Sequence, residues 1–414
     1  MNWLFRPLAS LKLTIVLLTL SMVLVFLGTM AQEPLGLYLA QARFFQSAFV
    51  DLAAMTAAVK KTLQMIHVYL PPSTAADVMG APFIPVFPGG YLLGSLLLIN
   101  LIAAHVSRFQ LTRKKAGIVL VHLGMILLLV GQLMTDLVAR ESAMRLTEGQ
   151  TRSYSESDRR SELAIADVTS AEKDRVVAFP DGLLSSGAVL EHAELPFKVR
   201  VARYYENSML TNRTAAPNAP AVTEGPGTRF VPLELPKVTV MDMRDVPSAF
   251  VEVTGPEGVI GSYLLTEFIE RPQALKYKDR NYELSLRLRR YYKDFSLTLL
   301  DFRHDKYLGT EIPKNFSSDV RLRNASTGED RTVKIYMNNP LRYQGLTFYQ
   351  ASFDPRDERV TILQVVRNPA WLTPYFACIV VGLGLVLQFG IHLVGFIRKR
   401  ASGAGTPPPS AAVA

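Results

Sequence analysis

Four stretches of the chain stay apolar for too long to be elements with one wet face. Residues 11–30 read LKLTIVLLTLSMVLVFLGTM and residues 91–107 read YLLGSLLLINLIAAHVS. Residues 116–135 read AGIVLVHLGMILLLVGQLMT, and residues 371–397 read WLTPYFACIVVGLGLVLQFGIHLVGFI. As a helix, about 20 such residues cover ~30 Å, the thickness of a bilayer's hydrocarbon, so the pattern predicts four transmembrane helices. Between the third and the fourth the apolar period changes to two. In RTVKIYM, Val333, Ile335 and Met337 alternate with Thr332, Lys334 and Tyr336, and YELSLRLRR, FSLTLLDF, LTFYQASF and RVTILQVV are further strand candidates. The expected fold is therefore a membrane protein with four transmembrane α-helices plus a large extracytoplasmic antiparallel β domain of sandwich type.

The pattern divides the chain into an N-terminus with its first span (1–30), a connecting segment outside (31–88), a second span (89–107), a short cytoplasmic loop (108–115) and a third span (116–135). The β-rich domain (136–370), a fourth span (371–397) and a disordered cytoplasmic tail (398–414) follow. The first span exceeds a signal-peptide core and no small-x-small cleavage site follows it, so it is expected to be retained. QARFFQSAFVDLAAMTAAVKKTLQMIHVYL has helical periodicity, as an amphipathic helix on the membrane surface or as one packed into a core, and the prolines of 71–88 end it. Residues 207–237 read as a Pro-rich insert loop. In the fourth span Gly382, Gly384, Gly390 and Gly395 would let another helix approach closely.

Charge fixes the orientation. The chain of 414 residues is 49% hydrophobic and carries a formal net charge of +9, but the dense basic clusters beside spans lie at the N-terminus, at 108–115 and at 398–400. This places both termini and the second-to-third loop in the cytoplasm. The same clustering makes the lipid bilayer, and not nucleic acid, the partner of the basic excess. Cys378 is the single cysteine and no CxxC or CxxCH occurs, so the chain holds no dithiol pair and no haem-attachment motif. No nucleophile elbow, phosphate loop or HExxH motif occurs in a credible context.

Ionisable residues inside spans are costly unless they serve a function. Three of the six histidines, His105, His122 and His392, lie there. Counted from the neighbouring cations, His122 and His392 lie at similar depth, where two imidazoles can hold iron or another metal. Haem suits a membrane best, with an apolar porphyrin and His122, His392 or His105 on the iron. Arg113, Lys114 and Lys115 then stand on the propionate side. The alternative for each ring is a hydrogen bond to a neighbouring helix, and for the whole chain a non-haem membrane scaffold or transport accessory with an outer β domain.

The segments LASLKLTIVLLTLSMVLVFLGTMAQ, FIPVFPGGYLLGSLLLINLIAAH, RKKAGIVLVHLGMILLLVG, DFRHDKYLGTEIPKNFSSDVRLRN, VKIYMNNPLRYQGLTFYQASFDP and TILQVVRNPAW resemble, in order, the ResB (CcsB) component of System II cytochrome c maturation. The resemblance implies a cytochrome c biogenesis subunit of the bacterial inner membrane that acts with a ResC/CcsA-type membrane subunit. The pair conveys haem b, bound transiently and shared between them, and attaches it to apocytochrome c, whose thiols a thiol reductant protein keeps reduced. It implies a non-catalytic subunit of a haem-attaching complex, and the VHLG context makes His122 the matching ligand. The Trp-rich haem-handling segment belongs to the partner; this chain has only Trp3 and Trp371.

Overall fold

A computed structural model describes residues 7–108, 112–216, 218–241, 243–306, 308–309 and 313–402. The expected tail 398–414 lies mostly outside these residues. The chain forms two compact units, Met1–Ala139 with Asn368–Ala414, and Arg140–Arg367.

The first unit is helical. Its main helices are α1 (Leu11–Leu35), α2 (Leu52–Met65), α3 (Gly90–Arg108), α4 (Ala116–Val138) and α5 (Thr373–Ala401). Four of them, all but α2, are long and apolar enough to cross a membrane. The sequence pattern places these four, and their ends move outward: α1 continues past Met30 until Gly36, at φ 78°, turns the chain. Only glycine takes that conformation without strain, and its N–H closes the helix on the Gln32 carbonyl at 2.9 Å.

The connecting segment is not one helix. A short helix (Leu37–Ala40) and a π turn (Gln41–Phe45) precede an extended stretch, Phe49–Asp51, which pairs antiparallel with Pro85–Pro88. Helix α2 begins only after it, because Asp51 caps it: Asp51 Oδ1 accepts from the Ala54 N–H at 3.0 Å. Of the two roles open to this helix, core packing is the one found. Ala54, Ala57 and Ala58 are buried with Leu17, Leu24 and Ala31 of α1, a seven-residue repeat, and with Leu93 of α3.

The second unit is all antiparallel strands. They are β1 (Arg140–Thr147), β2 (Thr151–Asp167), β3 (Arg175–Pro180), β4 (Lys198–Tyr205), β5 (Ser248–Gly255), β6 (Gly258–Thr266) and β7 (Gln273–Tyr277), followed by β8 (Arg280–Lys306), β9 (Pro313–Asn324), β10 (Glu329–Tyr336), β11 (Leu341–Tyr343), β12 (Leu346–Asp354) and β13 (Asp357–Arg367). One large sheet runs β10-β9-β8-β2-β1-β13-β12-β11, with β3 added to β2 and β7 to β8. A smaller sheet runs β6-β5-β4 and ends on the short strand Val189–Leu190.

Two large cores and a smaller one around Phe250 and Leu264 divide this unit. In the first, β2, β3, β7 and the start of β8 face β4, β5 and β6 across residues such as Ile165, Val177, Val201, Val251, Leu265 and Leu284. This half is the expected sandwich. The second core, with Met144, Leu297, Leu322, Ile335, Phe348 and Leu363, lies within the one large sheet, so this half is a sheet folded over its own apolar face. The long strands β2 and β8 serve both, and their register shifts twice, at Leu288/Arg290 and at Tyr292/Leu297. Such bulges let one strand change direction between two cores. The insert contains a hairpin, Ser208–Asn212 with Phe230–Glu234, where the sequence suggested only loop. The basic strand LSLRLRR is paired with β2, Arg287 to Glu162 at 3.1 Å and Arg290 to Glu156 at 3.0 Å.

Candidate cofactor site

Helix α4 has two working faces. Gly117, Gly124 and Gly131, seven apart, are its buried residues, and they meet α5. A Cβ on Gly117 would lie 2.5 Å from Gln388 Cβ and 2.6 Å from both Gln388 N and the Gly384 carbonyl, and one on Gly131 would lie 2.6 Å from Thr373 Cγ2. Gly124 stands against Val381 and Ala377 in the same way. The two helices therefore touch backbone to backbone, antiparallel, along most of α4. Of the fourth span's glycines only Gly384 takes part; Gly382, Gly390 and Gly395 have open space where a Cβ would go.

The other face carries Lys115, Ile118, His122, Met125 and Leu129 at spacings of three and four, one stripe of a helix. This stripe lines a cavity of about 600 Å³, within the range of small-molecule sites. Leu11, Thr14 and Leu18 of α1 form a second wall, and Leu97, Asn100, Leu101, Ala104 and His105 of α3 a third. Among the described residues no carboxylate lines it. Asn100, 2% exposed, fixes the walls: its amide donates to the Leu8 carbonyl at 2.6 Å and its Oδ1 accepts from Thr14 Oγ1 at 2.7 Å. At the far end of α4, Asp136 accepts from Tyr91 of α3 and, at 3.3 Å, from Gln46 Nε2.

His122 points one nitrogen at its own helix. Nδ1 lies 2.7 Å from the Ile118 carbonyl, and since a carbonyl only accepts, Nδ1 carries the proton. In the neutral ring Nε2 then holds a lone pair, the tautomer that metal-ligating histidines adopt when a carbonyl orients them. His105 is its neighbour, with ring centres 5.2 Å apart and planes tilted by 48°.

His392 stands elsewhere. Gly117 is level with Gly384 and Gln388, and Gly124 with Ala377 and Val381. His392 is thus about ten residues, or ~15 Å, along the axis from the level of His122. Its ring is exposed, 2.9 Å from Gln388 Nε2, and does not line the cavity. The equal depth expected of His122 and His392 gives way to a His105–His122 pair, because counting from loop cations ignores how far each helix runs past its apolar core. The three cations expected at the propionate side, Arg113, Lys114 and Lys115, are all exposed on the turn before α4, and of them Lys115 lines the cavity. His67 sits in the turn after α2 at φ 65°, His192 accepts from the Glu194 N–H, and His304 stacks on Phe316 with Phe353 tilted beside it. Met125 was missed by sequence reasoning, although its place three residues after His122 in the stripe was there to be read.

These residues fit a haem held through one imidazole. His122 offers Nε2, Leu18, Leu97, Leu101 and Leu128 offer apolar walls, and Lys115 offers a cation for a propionate. They do not fit an axial pair from this chain alone. With metal–nitrogen bonds of about 2 Å, two trans imidazoles hold their centres about 6 Å apart with the porphyrin between, more than the 5.2 Å found.

Comparison with known proteins gives two matches. The chain is 36% identical over 92 residues to Protein NrfI of Wolinella succinogenes, a match that covers 22% of this chain and 10% of that protein. The chain therefore spans about a tenth of the length of this relative. Residues 281–360 match the ResB-like family, a stretch that holds most of β8, all of β9 to β12 and the start of β13. Across residues 281–360 the chain is similar to the ResB-like family, which its motifs also resemble.

Proposed function

We propose that this protein is a cytochrome c maturation subunit of the bacterial inner membrane, in which α1, α3, α4 and α5 cross the bilayer and the β unit lies outside. With a ResC/CcsA-type partner it conveys haem across the membrane and supports its covalent attachment to apocytochrome c. The observation that carries this reading is the His122 ring, oriented by the Ile118 carbonyl so that its lone pair is presented in an apolar cavity with a cation at one end. The matches to the ResB-like family and to Protein NrfI support the biogenesis role.

The chain's own residues do limited work, which is positioning. His122 would hold the iron through Nε2, Lys115 would pair a propionate, and the leucine walls would exclude water from the ring. Haem, once bound, supplies the vinyl groups to which reduced cysteine thiols add. His105 stands 5.2 Å from His122, ring centre to ring centre, and a second ligand for the iron would come from the partner subunit. The β unit receives apocytochrome or shapes the partner's outer site.

The test is spectroscopic. The chain is purified with and without a coexpressed ResC-type subunit and its reduced visible spectrum recorded. A haem band that depends on coexpression and vanishes in His122→Ala is expected. Colourless protein in both preparations, or a band that His122→Ala leaves intact, refutes the haem reading and leaves the scaffold reading in its place.

A further inference from the structure

Beside His122 the same cavity holds two donors that haem does not use, His105 and Met125. For a metal bonded to both His105 and His122 at about 2 Å, with each ring centre about 1.1 Å beyond its nitrogen, centres 5.2 Å apart correspond to an angle of about 115° at the metal. That is the angle of trigonal or tetrahedral coordination, far from the straight line of an axial pair. His122 already presents a lone pair at Nε2. Met125, three residues along the same stripe of α4, brings a thioether to the same cavity.

The surroundings choose the ion. All three donors are neutral and among the described residues no carboxylate lines the cavity, so the full charge of the ion is carried into an apolar site. The solvation cost grows with the square of the charge, so a divalent ion pays about four times what a monovalent one does. Repulsion from Lys115 doubles as well. A thioether beside imidazoles favours a soft monovalent metal. The geometry points to a Cu(I) site formed by His105, His122 and Met125. It excludes haem from the cavity while occupied, because both take His122 Nε2. It stands on these residues alone, whether or not haem binds there.

The test uses the full chain in detergent, in a Cys378→Ser background, since the exposed Cys378 thiol is itself a soft ligand. Cu(I), kept reduced by ascorbate under argon, is titrated against bicinchoninate, and the bound metal is characterised by X-ray absorption. The expected result is one Cu(I) per chain with nitrogen and sulfur scatterers. Affinity falls roughly tenfold or more in His105→Ala and in Met125→Leu, a change that keeps the apolar volume. Met134→Leu and His392→Ala, which lie off the cavity, leave affinity unchanged. Met125→Leu leaves any haem band unchanged, which separates this site from the haem reading. No retained Cu(I), a sulfur-free signal, or affinity indifferent to His105→Ala and Met125→Leu overturns the proposal.

Discussion

Replacing Gly117 by alanine isolates the contact on which the α4–α5 pair depends. In an open helix position this change is favourable by up to about 1 kcal/mol, because alanine loses less backbone entropy than glycine. At Gly117 the new Cβ meets Gln388 N and the Gly384 carbonyl at 2.6 Å, both backbone atoms that no rotamer can move. Ordinary contact needs about 1 Å more, so the helices must part, and overpacking of this kind costs about 1–3 kcal/mol. At Gly382 nothing lies within 4 Å of the added atom, so the helix-propensity gain stands alone. Gly117→Ala should therefore be less stable than Gly382→Ala by about 1–3 kcal/mol, the overpacking cost alone, because the helix-propensity gain is common to both and cancels. Gly131→Ala should fall between them, since it meets only the Thr373 side chain, which can turn. Unfolding of the full chain in mixed micelles, followed by circular dichroism as denaturing detergent is added, measures the three. If Gly117→Ala proves as benign as Gly382→Ala, the two helices do not pack backbone to backbone.

Three further expectations follow from the same geometry. Lys293, at the β2–β8 register break, donates to Ser155 Oγ at 2.7 Å and to the Tyr291 carbonyl at 3.0 Å, and burial pushes its pKa down from 10.5 to about 8. Between pH 8 and 10.5 the unfolded chain holds this proton and the folded one does not, so stability should rise with pH across that window. Lys293 is partly exposed, so solvent screening reduces the effect, and the measurement is whether Lys293→Met flattens the pH profile of denaturant unfolding. Asp51, 1% exposed, both caps α2 and faces Arg43 at 3.3 Å; Asp51→Ala should cost about 1–3 kcal/mol in thermal unfolding, and Asp51→Asn, which keeps the cap, should cost less. Asn100→Ala strands the Leu8 carbonyl and loosens the cavity walls; a loss of about 1–3 kcal/mol is expected, and protein as stable as wild type would show that this clamp is idle.

The long helices and part of the β unit were legible in the sequence. Apolar run length marks α1, α3, α4 and α5, and a period of two marks β8, β10, β12 and β13, because both are local properties of a few consecutive residues. Two of the six ResB-like motifs, DFRHDKYLGTEIPKNFSSDVRLRN and VKIYMNNPLRYQGLTFYQASFDP, lie within residues 281–360, the stretch that matches the ResB-like family. A single long helix through QARFFQSAFVDLAAM was not borne out, because Asp51 and the pairing of Phe49–Asp51 with Pro85–Pro88 break it from outside the local pattern.

The sequence by itself determined that an imidazole lies in each of three long apolar helices, and that three cations precede α4. Only the tertiary structure decided that His105, and not His392, stands beside His122, and that Lys115 alone of the three cations reaches the cavity. The rotation and axial register of a helix depend on which glycine meets which backbone across the gap, as Gly117 meets Gly384 and Gln388. That information belongs to a pair of distant segments, and neither segment's own periodicity carries it.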